Sequence, residues 1–342
     1  MKISSDLLPA MAMALAFTIV GCQANMPLST TTPTTSPSPL ARIESVPANA
    51  IKGTPENDSW PPMISPGWSQ PVPLGWPVNT AGGEDSPFIL PDGSSLYFFF
   101  TPDVNIPAEQ SLLDGITGIW VSNWTGAEWT EPNRVILSSP GELALDGCPF
   151  VREETLIFCS ARAGNFRGVD LYTARSVDGM WTGWENWGET MNSMYSVGEM
   201  HISEDGQWLV FGSERPGGIG NMDLWISSWT GSGWSEPENL GPPINTPGDE
   251  NRPFLSSDGQ SLWYDSTGMR GFPGPAIFHS SRLLPDGSWS DPEEIISSFA
   301  GEPTLTPDEN TLYFIHHYFS SDLSLMIEAD IYVVHRLDQN QP

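Results

Sequence analysis

Short apolar runs recur along the chain after residue 60. They read LYFFF, LIFCS, LVFGS, LWYDS and LYFIH, and most follow a turn that contains Asp-Gly or a similar acidic pair. Apolar segments of this length, bounded by residues that accept a positive φ, are typical of β-strands in hairpins. No long stretch after residue 40 has helical periodicity, so the pattern predicts an all-β fold.

Tryptophans mark the period of a repeat. A W-x-x-P pattern or a close variant begins at Trp68, Trp129, Trp181, Trp234 and Trp289. Each repeat contains a strand after an acidic residue, the apolar strand, a third strand such as DLWIS and a fourth strand that the tryptophan opens. Because such a sheet cannot bury both faces alone, five copies predict a five-bladed β-propeller.

The fifth repeat ends without a fourth strand. WSQPVPLGWPVNT at residues 68–80 matches the end of the third repeat, WSEPENLGPPINT at residues 234–246. We therefore expect the strand at residues 68–74 to pair with residues 331–334 and close the last blade. Closure would leave no blade face or strand edge exposed.

The N-terminus is typical of an exported protein. Lys2 and the apolar run at residues 9–20 fit a signal peptide, and the run is too short to span a bilayer. IVGC at residues 19–22 resembles the lipobox of bacterial lipoproteins, which implies cleavage before Cys22 and lipid attachment to it. An ordinary signal peptide that contains a cysteine is the alternative. Gln23, which is not Asp, implies sorting to the outer membrane in a Gram-negative host.

The chain thus divides into three predicted segments. They are a lipoprotein signal peptide (1–21), a disordered Pro/Thr/Ser-rich linker (22–59) and the propeller (60–342). Acidic residues outnumber basic ones by 42 to 13, which gives a net charge of −29. A phosphate backbone would be repelled, so nucleic acid is not an expected partner, and membrane contact is expected only through the lipid.

The repeats resemble the WD-like propeller repeat of TolB and of many bacterial surface lipoproteins. The third repeat carries the similarity best: its Asp-Gly turn, its S-x-R-x-G-G loop and its D-[IL]-[WY] third strand are all present in GEMHISEDGQWLVFGSERPGGIGNMDLWISSWTGSGW. The resemblance implies a propeller and a cell-envelope location. It implies little about function, because propellers host many activities.

An acidic residue lies in or just before each first strand: Glu84, Asp146, Glu199, Glu250 and Glu302. First strands line the channel of a propeller, so we expect these carboxylates to crowd one mouth and bind a ligand. Calcium is the cation that such a cluster would favour. The predicted ligand-binding residues also include His201, Arg162, Arg215 and Arg252. The alternative is a set of structural acids that bind backbone N–H groups or the guanidinium of Arg162, Arg215 or Arg252. The histidine spacings fit no zinc site, so no other cofactor is predicted.

Two functions remain open from the sequence. The leading one is a binding or protein-interaction module for an envelope protein, a peptide or a glycan. The alternative is a glycoside hydrolase that uses two channel carboxylates as acid and base. The sialidase motif S-x-D-x-G-x-T-W is absent and no catalytic residue is assigned. Most of the fifteen tryptophans follow the repeat, which favours core packing over sugar stacking.

Two cysteines remain if Cys22 carries lipid. A two-residue loop at Glu153 and Glu154 would place Cys148 directly opposite Cys159 on adjacent strands. An exported compartment favours a disulfide between them. Two buried free thiols are the alternative.

Overall fold

The computed structural model describes residues 39–166, 168–189, 191–192, 197–268, 273–282 and 287–337. These ranges contain two short helices, α1 (Pro39–Ser45) and α2 (Ala108–Ser111), and are otherwise built from strands and turns. Neither helix has the length or apolar character needed to cross a membrane. The predicted all-β class is confirmed.

The strands form four-stranded antiparallel units in chain order. Two short strands come first: β1 (Met63–Ile64) and β2 (Val72–Pro73). Unit 1 consists of β3 (Gly83–Ile89), β4 (Ser95–Thr101), β5 (Gly118–Asn123) and β6 (Asn133–Arg134). Unit 2 consists of β7 (Ala144–Arg152), β8 (Thr155–Arg162), β9 (Asp170–Val177) and β10 (Met180–Asn186). Unit 3 consists of β11 (Val197–Ile202), β12 (Trp208–Ser213), β13 (Asp223–Ser228) and β14 (Glu238–Asn239).

The last two units take in the N-terminal strands. Unit 4 consists of β15 (Glu250–Leu255), β16 (Ser261–Ser266), β17 (Ala276–Ser281) and β18 (Glu293–Ser297), and β1 adds to its outer edge. Unit 5 consists of β19 (Ala300–Leu305), β20 (Thr311–Phe319) and β21 (Met326–His335), and β2 pairs with β21 as its fourth strand. The sequence predicted the β2 pairing, whereas the addition of β1 to unit 4 was not foreseen.

The N-terminal pairing extends beyond two residues. Val72 lies opposite Val333, and Trp68 forms a bridge with Arg336. The side-chain amide of Asn79 exchanges hydrogen bonds with the backbone of Ile331, at 2.9 and 3.1 Å. Asn245 makes the same pair of bonds to Leu224 inside unit 3. The asparagine of the repeated Asn-Thr pair therefore has the same role in both copies, which is to bond the backbone of a third strand. Asn245 does so within unit 3, and Asn79 from the N-terminal copy does so for unit 5.

The core lies between the sheets. The first and third residues of the five apolar runs are all fully buried: Leu96, Phe98, Leu156, Phe158, Leu209, Phe211, Leu262, Tyr264, Leu312 and Phe314. The first strands of successive units contact one another in order, and the first strand of unit 5 contacts that of unit 1. Sheets that pack face to face around a common axis in this way are propeller-like.

Residues 39–59 are part of the folded body, so the prediction of a disordered linker is wrong for them. The Arg42 guanidinium is buried, lies 2.6 Å from Glu84 and donates hydrogen bonds to the carbonyls of Pro77 and Val78. The Lys52 ammonium lies 2.5 Å from Asp330 of β21. The rest of the predicted linker, the signal peptide and Cys22 lie outside the described residues.

A disulfide joins Cys148 to Cys159, with 5.4 Å between the Cα atoms. Arg152 lies opposite Thr155, as the short turn predicts. A bulge then shifts the register, so Gly147 and not Cys148 lies opposite Cys159. The predicted direct opposition of the two cysteines is wrong by one residue because a bulge inserts an extra residue into β7.

We predict that Arg42→Met lowers the free energy of unfolding by about 3 to 5 kcal/mol, because it leaves the buried Glu84 carboxylate without its cation. Urea unfolding of the variant measures the loss. The matched control is the double variant Arg42→Met/Glu84→Gln, which removes the uncompensated charge and recovers part of the stability. An unchanged unfolding midpoint for Arg42→Met would show that the pair of Arg42 with Glu84 does not stabilise the domain.

Candidate functional site

Every first strand contains a β-bulge at the same place, which re-aims one side chain towards the axis. Four of the five bulge residues have a positive φ and precede a proline: Ser86, Cys148, Arg252 and Glu302, with φ of 47°, 51°, 51° and 59°. Glu199 holds the equivalent place in unit 3, within the register shift of β11. All five residues line one small cavity of about 30 Å³ on the axis.

Arg252 is at the centre of this layer. Its guanidinium lies 2.6 Å from Glu302, 3.2 Å from Asp265 and 3.8 Å from Glu199. Ser86 joins unit 1 to the same group, since its N–H donates to Glu302 at 2.5 Å and its hydroxyl donates to Glu199 at 2.8 Å. The group, which we call the axial plug, therefore connects units 1, 3, 4 and 5 across the axis.

Glycine allows one of these contacts. The N–H of Glu302 donates to Asp265 at 3.1 Å. A Cβ atom on the preceding residue, Gly301, would lie only 2.7 Å from that carboxylate oxygen. A side chain at Gly301 would therefore push Asp265 away from the plug.

Three carboxyl groups of the plug lie in a buried setting that raises their pKa values. Burial raises the pKa of Glu199 to about 7, against the opposing effect of Arg252. Burial and the neighbouring Asp85 raise the pKa of Glu302 well above its ordinary value. Burial also raises the pKa of Asp265. Loss of a solvation shell disfavours the charged form of each acid, so each carboxyl group binds its proton more tightly than it would in water.

The five predicted acids do not form one ring. Glu199 and Glu302 are bulge residues, whereas Glu84, Asp146 and Glu250 lie two positions before the bulge. Glu250 is bound by the hydroxyl of Ser266 in its own unit and by the N–H and hydroxyl of Thr246, at the end of the preceding repeat. Their placement corrects the expectation that all five crowd one mouth.

Glu84 and Asp146, which lie two positions before their bulges as Glu250 does, also accept hydrogen bonds from nearby side chains or backbone groups. Thr80 bonds Glu84 through its N–H and hydroxyl, at 2.9 and 2.8 Å, alongside the Arg42 contact. Asp146 accepts hydrogen bonds from Ser160 at 2.7 Å and from Arg162 at 2.6 Å. These contacts are those of structural acids, the alternative that the sequence left open.

The two arginines of the S-x-R loops pack on aromatic rings of their own units. Arg162 lies 4.6 Å from the ring centre of Tyr172, and Arg215 lies 4.8 Å from that of Phe211. Neither residue lines the axial cavity. Of the three arginines that the sequence singled out, Arg252 is the one that lines it.

An aromatic layer lies two residues beyond the bulges. Its members are Phe88, Phe150, His201 and Phe254, with His201 4.9 Å from Phe150 and 4.5 Å from Phe254 between ring centres. The Nδ1 atom of His201 accepts a hydrogen bond from the N–H of Leu255 at 3.3 Å. Burial lowers the pKa of His201 to about 3, so the ring is neutral at physiological pH.

A larger cavity of about 480 Å³ lies on the far side of these rings, at the end of the axis where the first hairpins turn. We call it the axial mouth. Its lining is mostly aliphatic and aromatic, and the same four rings form its floor. The aliphatic wall residues are Ile89, Val151, Ile202, Leu255 and Leu305, while Asp92, Arg152, Glu153 and Glu204 lie at the rim.

This floor and wall were not predicted from the sequence, although the sequence contains a signal for them. Pro-Phe occurs in the first strands of three repeats, at residues 87–88, 149–150 and 253–254. A proline inside a strand marks a bulge, and a bulge changes which residues face the axis. Nothing in the sequence marked Asp85, which raises the pKa of Glu302, or Asp265, which lies 3.2 Å from the Arg252 guanidinium.

Within the described ranges, no group of three or more His, Cys, Asp or Glu side chains is arranged to hold a metal ion. The carboxylates nearest the axis are instead directed at Arg252.

Comparisons with known proteins give only distant similarity. No family model matches the sequence, and no curated protein is significantly similar. TolB from Acinetobacter baumannii aligns with a TM-score of 0.43 at 12% identity, over 76% of this chain and 56% of TolB, so the chain spans little more than half of that protein. A GH62 α-L-arabinofuranosidase catalytic domain from Coprinopsis cinerea aligns with a TM-score of 0.49 at 11% identity, over 83% and 98% of the two chains.

A third solved structure is an endo-arabinase from Bacteroides thetaiotaomicron. It aligns with a TM-score of 0.48 at 16% identity, over 79% of this chain and 96% of the enzyme. Similarities at this level assign no activity, so the functional argument rests on the site itself.

We predict that stability falls as pH rises from about 4.5 to 7. The raised pKa of Glu199 means that the folded state binds this proton more tightly than the unfolded state. Its stabilising contribution is therefore complete below about pH 4.5 and lost as pH rises through 7, which amounts to about 3 kcal/mol. Glu199→Gln should remove this contribution and make the profile of unfolding free energy against pH less steep, while the raised pKa values of Glu302 and Asp265 keep part of the slope. The exposed-rim variant Glu204→Gln is the control, and an equal slope in all three proteins would contradict the prediction.

Proposed function

We propose that the chain is an exported, lipid-anchored, five-bladed propeller, closed by its N-terminal strand, that binds a peptide segment of a cell-envelope protein at the axial mouth. The observation that carries the proposal is the mouth itself. It is a 480 Å³ cavity with a mainly apolar lining, a size and character suited to one or two amino-acid side chains.

The lining favours a peptide over a glycan. The wall offers aliphatic side chains, which bury apolar groups of a partner but give few hydrogen bonds to sugar hydroxyl groups. The strands behind the wall are part of the rigid core, so the cavity is preformed. A preformed cavity avoids the entropic cost of ordering the site when a ligand binds.

The glycoside hydrolase alternative has less support. Two catalytic carboxyl groups need a pocket that admits a sugar ring, with one group free to transfer a proton. Glu199 and Glu302 both lie close to Arg252. The cavity beside them, at about 30 Å³, has room for a few water molecules and is too small for a sugar ring.

The mouth is tested with immobilised full-length protein, a library of short random peptides and an array of envelope glycans. We expect peptides to bind, and Ser257→Trp, which fills the mouth from a turn that lines it, to weaken binding at least about tenfold. Ser232→Trp, in an exposed turn on an outer strand, is the matched control and should leave binding unchanged.

Two results would contradict the proposed function. One is binding that Ser257→Trp does not alter. The other is hydrolysis of arylglycosides that Glu302→Gln abolishes, which would favour the enzyme.

The lipid anchor rests on the sequence pattern at Cys22. We expect Cys22→Ser to move the protein from the membrane fraction to the soluble fraction or to block its processing, because the thiol that accepts the lipid is lost. Fractionation and intact mass measure this outcome. The same mass and membrane fraction for the variant would rule out lipidation.

A further inference from the structure

The floor of the axial mouth consists of neighbouring aromatic rings that are inclined to one another by 60°, 75° and 51°. Phe88 and Phe150 lie 5.0 Å apart between ring centres, and His201 joins Phe150 to Phe254 at 4.9 and 4.5 Å. Aromatic rings carry negative charge on their faces and attract organic cations, most strongly where water is excluded. Because His201 is neutral, it adds a ring to this surface and no positive charge.

The charged residues at the rim of the mouth are mainly acidic. Asp92, Glu153 and Glu204 lie at the rim and are exposed, while the rim cation Arg152 lies 3.6 Å from Glu153 and donates to the carbonyl of Glu204 at 3.1 Å. Arg152 is therefore held at the rim, near the side chains of the turns. Clefts lined by one sign of charge concentrate the opposite charge, and the whole chain carries a net charge of −29.

A further carboxyl group lies beneath the rings. Glu199 belongs to the axial plug, borders the small cavity and has a side chain that is 21% exposed. The ionised form of Glu199 would offset the charge of the Arg252 guanidinium, which lies 3.8 Å away in the same plug. An aliphatic wall, an aromatic floor and a mainly acidic rim together suit a group with an apolar stem and a cationic tip.

We propose that the mouth selects a lysine side chain of the bound segment, with its methylene groups against the aliphatic wall and its ammonium on the aromatic floor. This inference rests on the proposed binding function and names the ligand class for the same site. It assigns recognition roles to Phe88, Phe150 and Phe254, which the sequence did not single out.

Three peptides test the proposal by titration calorimetry against full-length protein in detergent. They share the sequence acetyl-Leu-X-Leu-amide, where X is lysine, trimethyl-lysine or 2-aminoheptanoate, whose terminal methyl replaces the ammonium. We expect the lysine peptide to bind about five- to thirty-fold more tightly than the neutral one, the range of a desolvated cation–π contact. Trimethyl-lysine should bind at least as tightly as lysine, since an aromatic floor needs no N–H donor.

Variants identify the source of the preference. Phe150→Leu keeps an apolar floor but removes a ring, and should lower the ratio of lysine to neutral affinity without weakening the neutral peptide. Phe166→Leu, at an exposed loop phenylalanine outside the mouth, is the matched control. The triple rim variant Asp92→Asn/Glu153→Gln/Glu204→Gln changes exposed residues only, so it should fold, and should lower the same ratio.

The outcomes separate this proposal from the proposed function. Equal affinity for the lysine and neutral peptides overturns the lysine assignment while leaving the mouth as a peptide site. Tighter binding of lysine than of trimethyl-lysine overturns the role of the aromatic floor. Absence of binding by all three peptides overturns the inference, and the proposed function fails with it only if the random library also gives no binding that depends on Ser257.

Discussion

The buried guanidinium of Arg252 is the interaction on which the centre of this molecule depends. The first strands of the units surround the axis, and their side chains must share the narrow space between them. Here a bulge in each first strand turns a residue inward, and Arg252 lies within 4 Å of carboxylates from three units. An unpaired charge would be costly at this depth, so the acids and the arginine stabilise one another as a set.

This plug also decides what the axis can do. It fills the space where carboxylates of neighbouring units would otherwise face a substrate, and it leaves about 30 Å³ beside them. The aromatic layer separates that space from the mouth, which is blind, mainly apolar and sixteen times larger by the two volumes, 480 and 30 Å³. A site of this shape suits recognition of a partner better than hydrolysis of one.

The architecture could be predicted from the sequence because the repeat encodes it in every unit. The Leu-x-aromatic run, the Asp-Gly turns and the displaced W-x-x-P strand each correspond to one feature of the fold, and Val72 pairs with Val333 as expected. The site could not be predicted in the same way. Glu84 and Glu302 look equivalent in the sequence, yet the bulge places only Glu302 on the axis. The folding of residues 39–59 was also hidden, because it depends on two single cations, Arg42 and Lys52, within a polar stretch.

The most direct test of the plug is a double-mutant cycle on Arg252 and Glu302, measured as free energies of unfolding. Arg252→Met, Glu302→Gln and the double variant are compared with the parent protein at one pH. If the plug holds the axis together, the two residues are coupled, and the double variant loses about 1 to 3 kcal/mol less than the sum of the single losses. Additive losses would mean that Arg252 and Glu302 act independently and would contradict the account.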